Sequence, residues 1–264
     1  MNENNIPDYS ALDTPVVLSF LFHPRKDFQS VIDGSLEINI PVDDNITIGA
    51  KLFSTDKEAP TILFFHGNGE IVSDYNDLGP LYNQRGINFL PVDYRGYGKS
   101  TGSPTVSAMM KDCHVIFRFV IKWLNDKSYS GPIILMGRSL GSASVLELAA
   151  SYQESIDGLI IESGFANFVP LLNILGINAK ALGIKDDLLS NRDKIKNFTK
   201  PTLIIHAEFD HIIPLSEGSA LYEASPSKEK YFLKIPNANH NTIFAYGLEK
   251  YLTAVKAVTE KIKK

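Results

Sequence analysis

The chain has 264 residues, of which 44% are hydrophobic and 21% charged, a composition typical of a globular protein with a large core. The formal net charge is −4, so no nucleic-acid partner is expected. Cys113 is the only cysteine, which excludes an internal disulfide and makes a reducing cytoplasm the simplest location. The opening MNENNIPDYS lacks the basic stretch of a secretory signal, and the apolar run 16–22 is too short to cross a bilayer, so no integral membrane segment is expected.

Two parts are predicted: an N-terminal extension over residues 1–34 and a single domain over residues 35–264. The domain opens with residues 35–42, which alternate apolar and polar as a half-buried strand does. A turn at 43–45 follows, and residues 46–53 return as the second strand of a hairpin.

Beyond the hairpin, short apolar runs alternate with helical patterns. The predicted strands are 61–65, 87–92, 133–136, 159–161, 202–206 and 231–235. The predicted helices are 73–84, 105–125, 140 onward, 216–222 and 244 to the C-terminus. This alternation predicts an α/β fold, in which a mostly parallel central sheet follows an antiparallel hairpin and has helices on both faces.

One predicted strand turns directly into a helix through Gly137-Arg138-Ser139-Leu140-Gly141. This is the G-x-S-x-G pattern of a nucleophile elbow, whose serine lies on a strained turn at the positive end of the helix dipole. The strain requires neighbours without bulky side chains, which the glycines provide. A plain Gly-Ser turn is the alternative, but the position between a buried strand and a helix favours Ser139 as a nucleophile.

An elbow serine needs a base near the carboxyl ends of the strands, because ligand sites of open α/β sheets lie at that edge. Among the six histidines, His240 follows the last predicted strand in a loop rich in turn-forming residues. His66 and His206 end strands, and His211 adjoins the loop after strand 202–206. The position after the last strand favours His240.

The orienting acid has two candidates. Asp210 follows strand 202–206, and Glu162 follows strand 159–161. The chain order Ser139, Asp210, His240 is the one expected of this elbow, which favours Asp210. A metal site built from His206, Asp210 and His211 is the competing reading of this loop, but a strand directs neighbouring side chains to opposite faces. No metal and no other cofactor is expected.

Five stretches resemble the α/β hydrolases: HGNG at 66–69, DYRGYGKSTGSPT at 93–105, GRSLG at 137–141, KPTLIIHAEFDHIIP at 200–214, and His240. The resemblance extends from about residue 35 to the C-terminal helix. It is strongest to small-lid serine hydrolases, which include eukaryotic depalmitoylating enzymes and bacterial esterases. It implies that Ser139 is the nucleophile, His240 the general base and then acid, and Asp210 the orienting acid. Ala207 and Asn239 replace glycines common in the family, which affects loop geometry only.

The same elbow geometry predicts an oxyanion hole. One donor is expected to be the backbone N–H of Leu140, directly after the nucleophile. The second is expected to be the backbone N–H of Asn68, because Gly67 and Gly69 allow that backbone to approach a substrate closely. A simple tight turn at 66–69 is the alternative.

An apolar insertion at about 165–199 is predicted to form a small lid, with Phe168 and Leu172 as substrate-binding residues. The alternative is that these residues pack on the core.

The predicted function is a serine hydrolase that cleaves carboxylic esters or thioesters of a small molecule or an acyl chain through an acyl-enzyme. A serine peptidase or acyltransferase, and a non-catalytic ligand-binding protein on the same fold, are the alternatives.

Overall fold

The computed structural model describes residues 7–28, 34–174, 176–184 and 188–262. A central sheet organises this part of the chain. Its strands are β1 (Ser35–Asp43), β2 (Ile46–Phe53), β3 (Thr61–Phe65), β4 (Asn88–Val92), β5 (Ile133–Arg138), β6 (Gly158–Glu162), β7 (Thr202–Ala207) and β8 (Lys230–Ile235). Their order across the described sheet is β1-β2-β4-β3-β5-β6-β7-β8.

The direction of the strands divides the sheet into a hairpin and a parallel part. Strands β1 and β2 pair antiparallel, and β2 is also antiparallel to β4. From β4 to β8 all neighbouring strands are parallel. Every residue of β3, β4 and β6 is buried, as expected for strands covered on both faces. The predicted hairpin and parallel sheet are confirmed.

Helices cover both faces of the sheet. They are α1 (Pro15–Leu21), α2 (Leu78–Asn83), α3 (Val106–Asp126), α4 (Gly141–Ser151), α5 (Phe168–Ile174), α6 (Asn191–Ile195), α7 (Leu215–Ala224) and α8 (Ile243–Ile262). The larger core lies under α3 and α4, and the smaller core lies on the other face under α2 and α8. Among the described residues, no helix is both long and apolar enough to cross a membrane.

The described N-terminal residues 7–28 contain a short helix, and some of their side chains are buried in the core of the domain. Thr14 caps α1 by accepting a hydrogen bond from the Val17 N–H, and Pro15 occupies the first helical position. Leu12 and Val17 have no exposed surface and belong to the larger core. The boundary at residue 34 stays a prediction, since residues 1–6 and 29–33 lie outside the described part.

Candidate active site

The turn between β5 and α4 has the geometry of a nucleophile elbow. Ser139 has a φ of 51°, in the left-handed region that a side chain disfavours. A Cβ on Gly137 would lie 2.5 Å from the carbonyl oxygen of Gly141, and one on Gly141 would collide with the carbonyl oxygen of Phe65. Both glycines are therefore required for the strand, the turn and the helix to approach each other so closely.

Three predicted site residues lie in contact at the carboxyl edge of the sheet. The Ser139 Oγ is 3.1 Å from the Nε2 of His240, and the Nδ1 of His240 is 2.8 Å from the Oδ2 of Asp210. Since a carboxylate only accepts hydrogen bonds, Nδ1 is assigned the proton and Nε2 is left free to accept from the serine hydroxyl. All three residues are buried. This arrangement can move a proton from the serine to the histidine.

Asp210 is fixed by more than its histidine. Its Oδ1 accepts hydrogen bonds from the backbone N–H groups of Ile212, at 3.0 Å, and Ile213, at 2.8 Å. Burial by itself raises the pKa of the Asp210 carboxyl. The hydrogen bond from His240, the charge of His240 and the hydrogen bond from the Ile213 N–H outweigh burial and hold this pKa below the ordinary value of an aspartate. The carboxylate is therefore ionised at neutral pH and can stabilise a charged imidazolium.

The rival acid, Glu162, lies elsewhere in the site. Its Oε1 accepts from the Arg138 Nε, at 3.0 Å, and its Oε2 accepts from the Tyr251 hydroxyl, at 2.8 Å. The structure thus places Asp210, and not Glu162, at the imidazole of His240.

His66, His206 and His211 do not contact the serine. The Nδ1 of His66 is 2.7 Å from the Gly67 carbonyl oxygen. The Nε2 of His206 donates to the Ile213 carbonyl, at 2.9 Å, and burial lowers the pKa of His206. Within the described ranges, no group of three His, Cys, Asp or Glu side chains could hold a metal ion.

The predicted oxyanion donors lie on two turns that meet at the site. In the described part of the chain, neither the backbone N–H of Leu140 nor that of Asn68 donates a hydrogen bond to another protein group. The side chain of Asn68 is held by its surroundings: its Oδ1 accepts from the His23 N–H, at 2.8 Å, and from the Tyr97 hydroxyl, at 2.9 Å. The role of both donors stays a prediction.

The N-terminal segment reaches this turn, which the sequence gives no sign of. The Nδ2 of Asn68 donates to the carbonyl of Phe20, at 3.1 Å, and to the Nδ1 of His23, at 2.8 Å. Arg25 donates to the carbonyl of Gly69, at 2.7 Å, and pairs with Asp74. These contacts join residues more than 40 positions apart, so no local motif could predict them.

The predicted lid region is closely packed where the structure describes it. Phe168 and Leu172 have 0% exposed surface and belong to the larger core, whereas Ile174, at the end of α5, is 53% exposed. A substrate could reach Phe168 or Leu172 only if the segment moved. Their substrate-binding role stays a prediction, and residues 175 and 185–187 of the segment lie outside the described part.

Comparisons with known proteins agree with this fold. A family model described as serine aminopeptidase, S33, matches residues 56–184. The lysophosphatidylserine lipase ABHD12 of Xenopus tropicalis is 32% identical over 191 residues, covering 64% of this chain and 48% of that protein. The solved structure of a Pyrococcus furiosus esterase has a TM-score of 0.72 at 17% identity, covers 90% of this chain and 98% of its own, and shows a shared fold.

A second relative from Xenopus tropicalis, alpha/beta hydrolase domain-containing protein 17B, is 31% identical over 215 residues, covering 76% of this chain and 67% of that protein. The chain spans about half to two thirds of the length of most curated relatives that it matches. The second relative is more than 30% identical to the chain, which covers two thirds of its length, and the match identifies the family. The chain belongs to the α/β hydrolases.

Proposed function

We propose that the protein is a serine hydrolase that cleaves carboxylic ester or thioester bonds through an acyl-enzyme. The observation that supports this most strongly is the hydrogen-bonded series from Ser139 to His240 to Asp210, with donor and acceptor distances of 3.1 and 2.8 Å. A serine hydroxyl is a weak nucleophile unless a base accepts its proton during attack, and His240 is within reach to do so.

The proposed reaction has two halves. In the first, the Ser139 Oγ attacks the carbonyl carbon while the Nε2 of His240 accepts its proton, and the oxyanion accepts hydrogen bonds from the Leu140 and Asn68 N–H groups. His240 then donates that proton to the departing alkoxide or thiolate, which leaves an acyl group on Ser139. In the second half, His240 accepts a proton from the water that attacks the acyl carbon. The bond between the acyl group and the Ser139 Oγ then breaks, His240 returns the proton to that oxygen, and the carboxylic acid leaves.

Ester substrates are favoured by the relatives. A lysophosphatidylserine lipase and an esterase are among the proteins that the chain resembles, and both descriptions concern ester bonds. The matched family model, described as a serine aminopeptidase, favours peptide hydrolysis as a second candidate. The same triad chemistry serves both bond types, so the leaving group must be tested directly.

The test compares kcat/KM for a p-nitrophenyl ester, an acyl thioester and an aminoacyl p-nitroanilide of matched size, using wild-type protein and Ser139→Ala. We expect the wild type to hydrolyse the ester and thioester much faster than the anilide, and Ser139→Ala to hydrolyse none of them while it stays folded. Faster cleavage of the anilide would favour the aminopeptidase, and full activity in Ser139→Ala would place the nucleophile elsewhere.

A further inference from the structure

Arg138 directly precedes Ser139, but the proposed reaction does not use its side chain. It is the last residue of β5, and its side chain is 9% exposed. Burying a guanidinium is costly unless the charge is paired and its N–H groups are hydrogen-bonded. The partners that satisfy Arg138 therefore indicate what its burial achieves.

Those partners lie on three different segments of the site. The Nε donates to the Oε1 of Glu162, at 3.0 Å, the Nη1 pairs with the Oε1 of Glu70, and the Nη2 donates to the backbone carbonyl of His240, at 2.7 Å. One planar guanidinium thus joins the end of β6, the turn after β3 and the loop after β8. A lysine could not reproduce this, because its compact ammonium lacks the rigid fork.

The contact with Glu70 reaches the predicted oxyanion turn (residues 67–70). The Oε2 of Glu70 accepts from the Gly67 N–H, at 2.7 Å, so the carboxylate closes the turn that contains Asn68. A Cβ on Gly67 would lie 2.9 Å from both the Nη1 of Arg138 and the Oε2 of Glu70. The backbone, the carboxylate and the guanidinium are therefore in direct contact, and the position of Asn68 depends on this ion pair.

The second contact of the guanidinium is with the backbone of His240. Arg138 holds the backbone carbonyl of His240, while the imidazole remains free to contact Asp210 and Ser139. Fixing the backbone of a residue fixes where its side chain begins, which matters because a displacement of about 1 Å in a catalytic group can cost about 100-fold in rate.

The charges of the cluster are matched to this arrangement. Burial raises the pKa of Glu70, but the charge of Arg138 and the Tyr75 hydroxyl, 2.6 Å away, together lower it below its ordinary value. The second oxygen of Glu162 accepts a hydrogen bond from the Tyr251 hydroxyl of α8. Each hydrogen-bonding side of the guanidinium therefore has a fixed acceptor.

We infer that Arg138 is a positioning residue, which aligns the oxyanion turn and the backbone of His240 with Ser139. The inference rests on the proposed function, since both aligned segments act on an acyl group bound to Ser139. Arg138 touches no substrate in this account. It acts through Glu70 and through the His240 backbone.

The test is the rate constant for labelling by a fluorophosphonate, measured with kcat and KM for a p-nitrophenyl ester and with the melting temperature. We expect Arg138→Gln to lower the labelling rate and kcat by about 100-fold, with little change in KM, as loss of one oxyanion donor does. Compared with Arg138→Gln, Arg138→Lys should recover much of the melting temperature but little of the labelling rate. Arg118→Gln, the same change on the exposed side of α3, is the matched control and should label at the wild-type rate.

A chemical rescue separates positioning from stability. A cavity of about 420 Å³ is lined by Glu70, Arg138 and Asn241, so a small guanidinium could enter it. Millimolar ethylguanidinium should raise the labelling rate of Arg138→Gly, whereas ethylammonium at equal ionic strength should not. If the Arg138 variants do not fold, Glu70→Gln takes their place, because it keeps an acceptor for the Gly67 N–H but loses the ion pair. It should lower the labelling rate by about tenfold, which is less than the loss of a whole oxyanion donor costs.

The outcomes are distinct. Wild-type labelling in folded Arg138→Gln, or an unchanged rate in Glu70→Gln where Arg138→Gln does not fold, would overturn the inference while leaving the proposed function intact. A loss that only matches the fraction of unfolded protein, with no guanidinium rescue, would likewise overturn it. Failure of the wild type itself to label would instead remove the proposed function, and the positioning role with it.

Discussion

The residue that decides the chemistry of His240 is Asp210, because it determines which ring nitrogen bears the proton. The two residues are 30 positions apart in the chain but 2.8 Å apart in the structure. With the Oδ2 of Asp210 at Nδ1, the neutral ring presents a free Nε2 toward Ser139. An amide in the same place could donate to Nδ1 and so reverse the tautomer.

Exchange of each candidate acid for its amide tests this assignment. Asp210→Asn should lower kcat by about 10⁴-fold, because the ring would then present an N–H to Ser139. Glu162→Gln should cost far less, since Glu162 contacts Arg138 and Tyr251 and not the imidazole. Both rates are measured with one ester substrate. The reverse order of losses would show that the acid is misassigned.

Ser139, Asp210 and His240 can be proposed from the sequence because each follows a strand that its own short apolar run predicts. Parallel strands end at one edge, so three strand ends are enough to predict one site. The partners of Arg138 are different: Glu70 is 68 positions away and His240 is 102 positions away, and neither pairing leaves a pattern in the sequence. Their proximity follows only from tertiary packing.

At the scale of elements, the sequence predicts a helix or strand correctly where its apolar pattern and its turn residues agree. It misses an element whose pattern covers too few residues. The hairpin is predicted because residues 35–42 alternate apolar and polar and a turn at 43–45 follows. In the structure Asn45 of that turn takes a positive φ of 58°. Helix α1 is absent from the sequence prediction, although Thr14-Pro15 is a helix-start signal, because its seven residues give too short a periodic pattern. The predicted helix 73–84 is divided into a 3₁₀ turn, Val72–Tyr75, and α2.

The lid prediction concerns α5 and the residues after it. It expects kcat/KM for p-nitrophenyl esters to climb from acetate to longer chains and then level off, because each buried methylene contributes up to about 0.8 kcal/mol. Phe168→Ala and Leu172→Ala should change that chain-length preference. Both should also lower the free energy of unfolding by about 2–5 kcal/mol, since both side chains are fully buried.

Ile174→Ala provides a comparison on the same helix, because Ile174 is 53% exposed and its removal should leave stability nearly unchanged. A flat profile across chain lengths, or buried-residue variants that lose stability and keep the wild-type preference, would contradict the lid and leave a core-packing segment.

At the scale of the whole molecule, a buried polar cluster ties the N-terminal segment to the helices on one face of the sheet. Glu147 of α4 accepts from the Tyr9 hydroxyl, at 3.0 Å, pairs with Lys194 of α6, at 2.6 Å, and lies 3.3 Å from the Nε2 of His114 in α3. Burial raises the pKa of Glu147, but these partners outweigh it and lower the pKa to about 2.

This pKa predicts how stability depends on pH. A carboxyl whose pKa falls from 4.5 to about 2 on folding contributes about 3 kcal/mol. Because the folded-state pKa is depressed, the contribution is complete above pH 4.5 and is lost as pH falls toward 2. In urea denaturation at pH 7, Glu147→Gln should therefore be less stable by about that amount and should depend less on pH in the acid range.

Glu249→Gln is the matched control, because Glu249 pairs with Arg85 from a side chain that is 81% exposed. Its free energy of unfolding should be close to that of the wild type. Equal stability of Glu147→Gln and wild type at pH 7 would show that the cluster does not tie the N-terminal segment in place.

The central claim is that an acyl group is transferred to Ser139, and trapping that intermediate tests it most directly. Wild-type protein and Ser139→Ala are mixed with a p-nitrophenyl ester, quenched in acid within the first turnover, digested and analysed by mass spectrometry. We expect the mass of the acyl group on the peptide containing Ser139 in the wild type, and no acylated peptide in the variant. An acyl group on another residue, or undiminished turnover in Ser139→Ala, would contradict it.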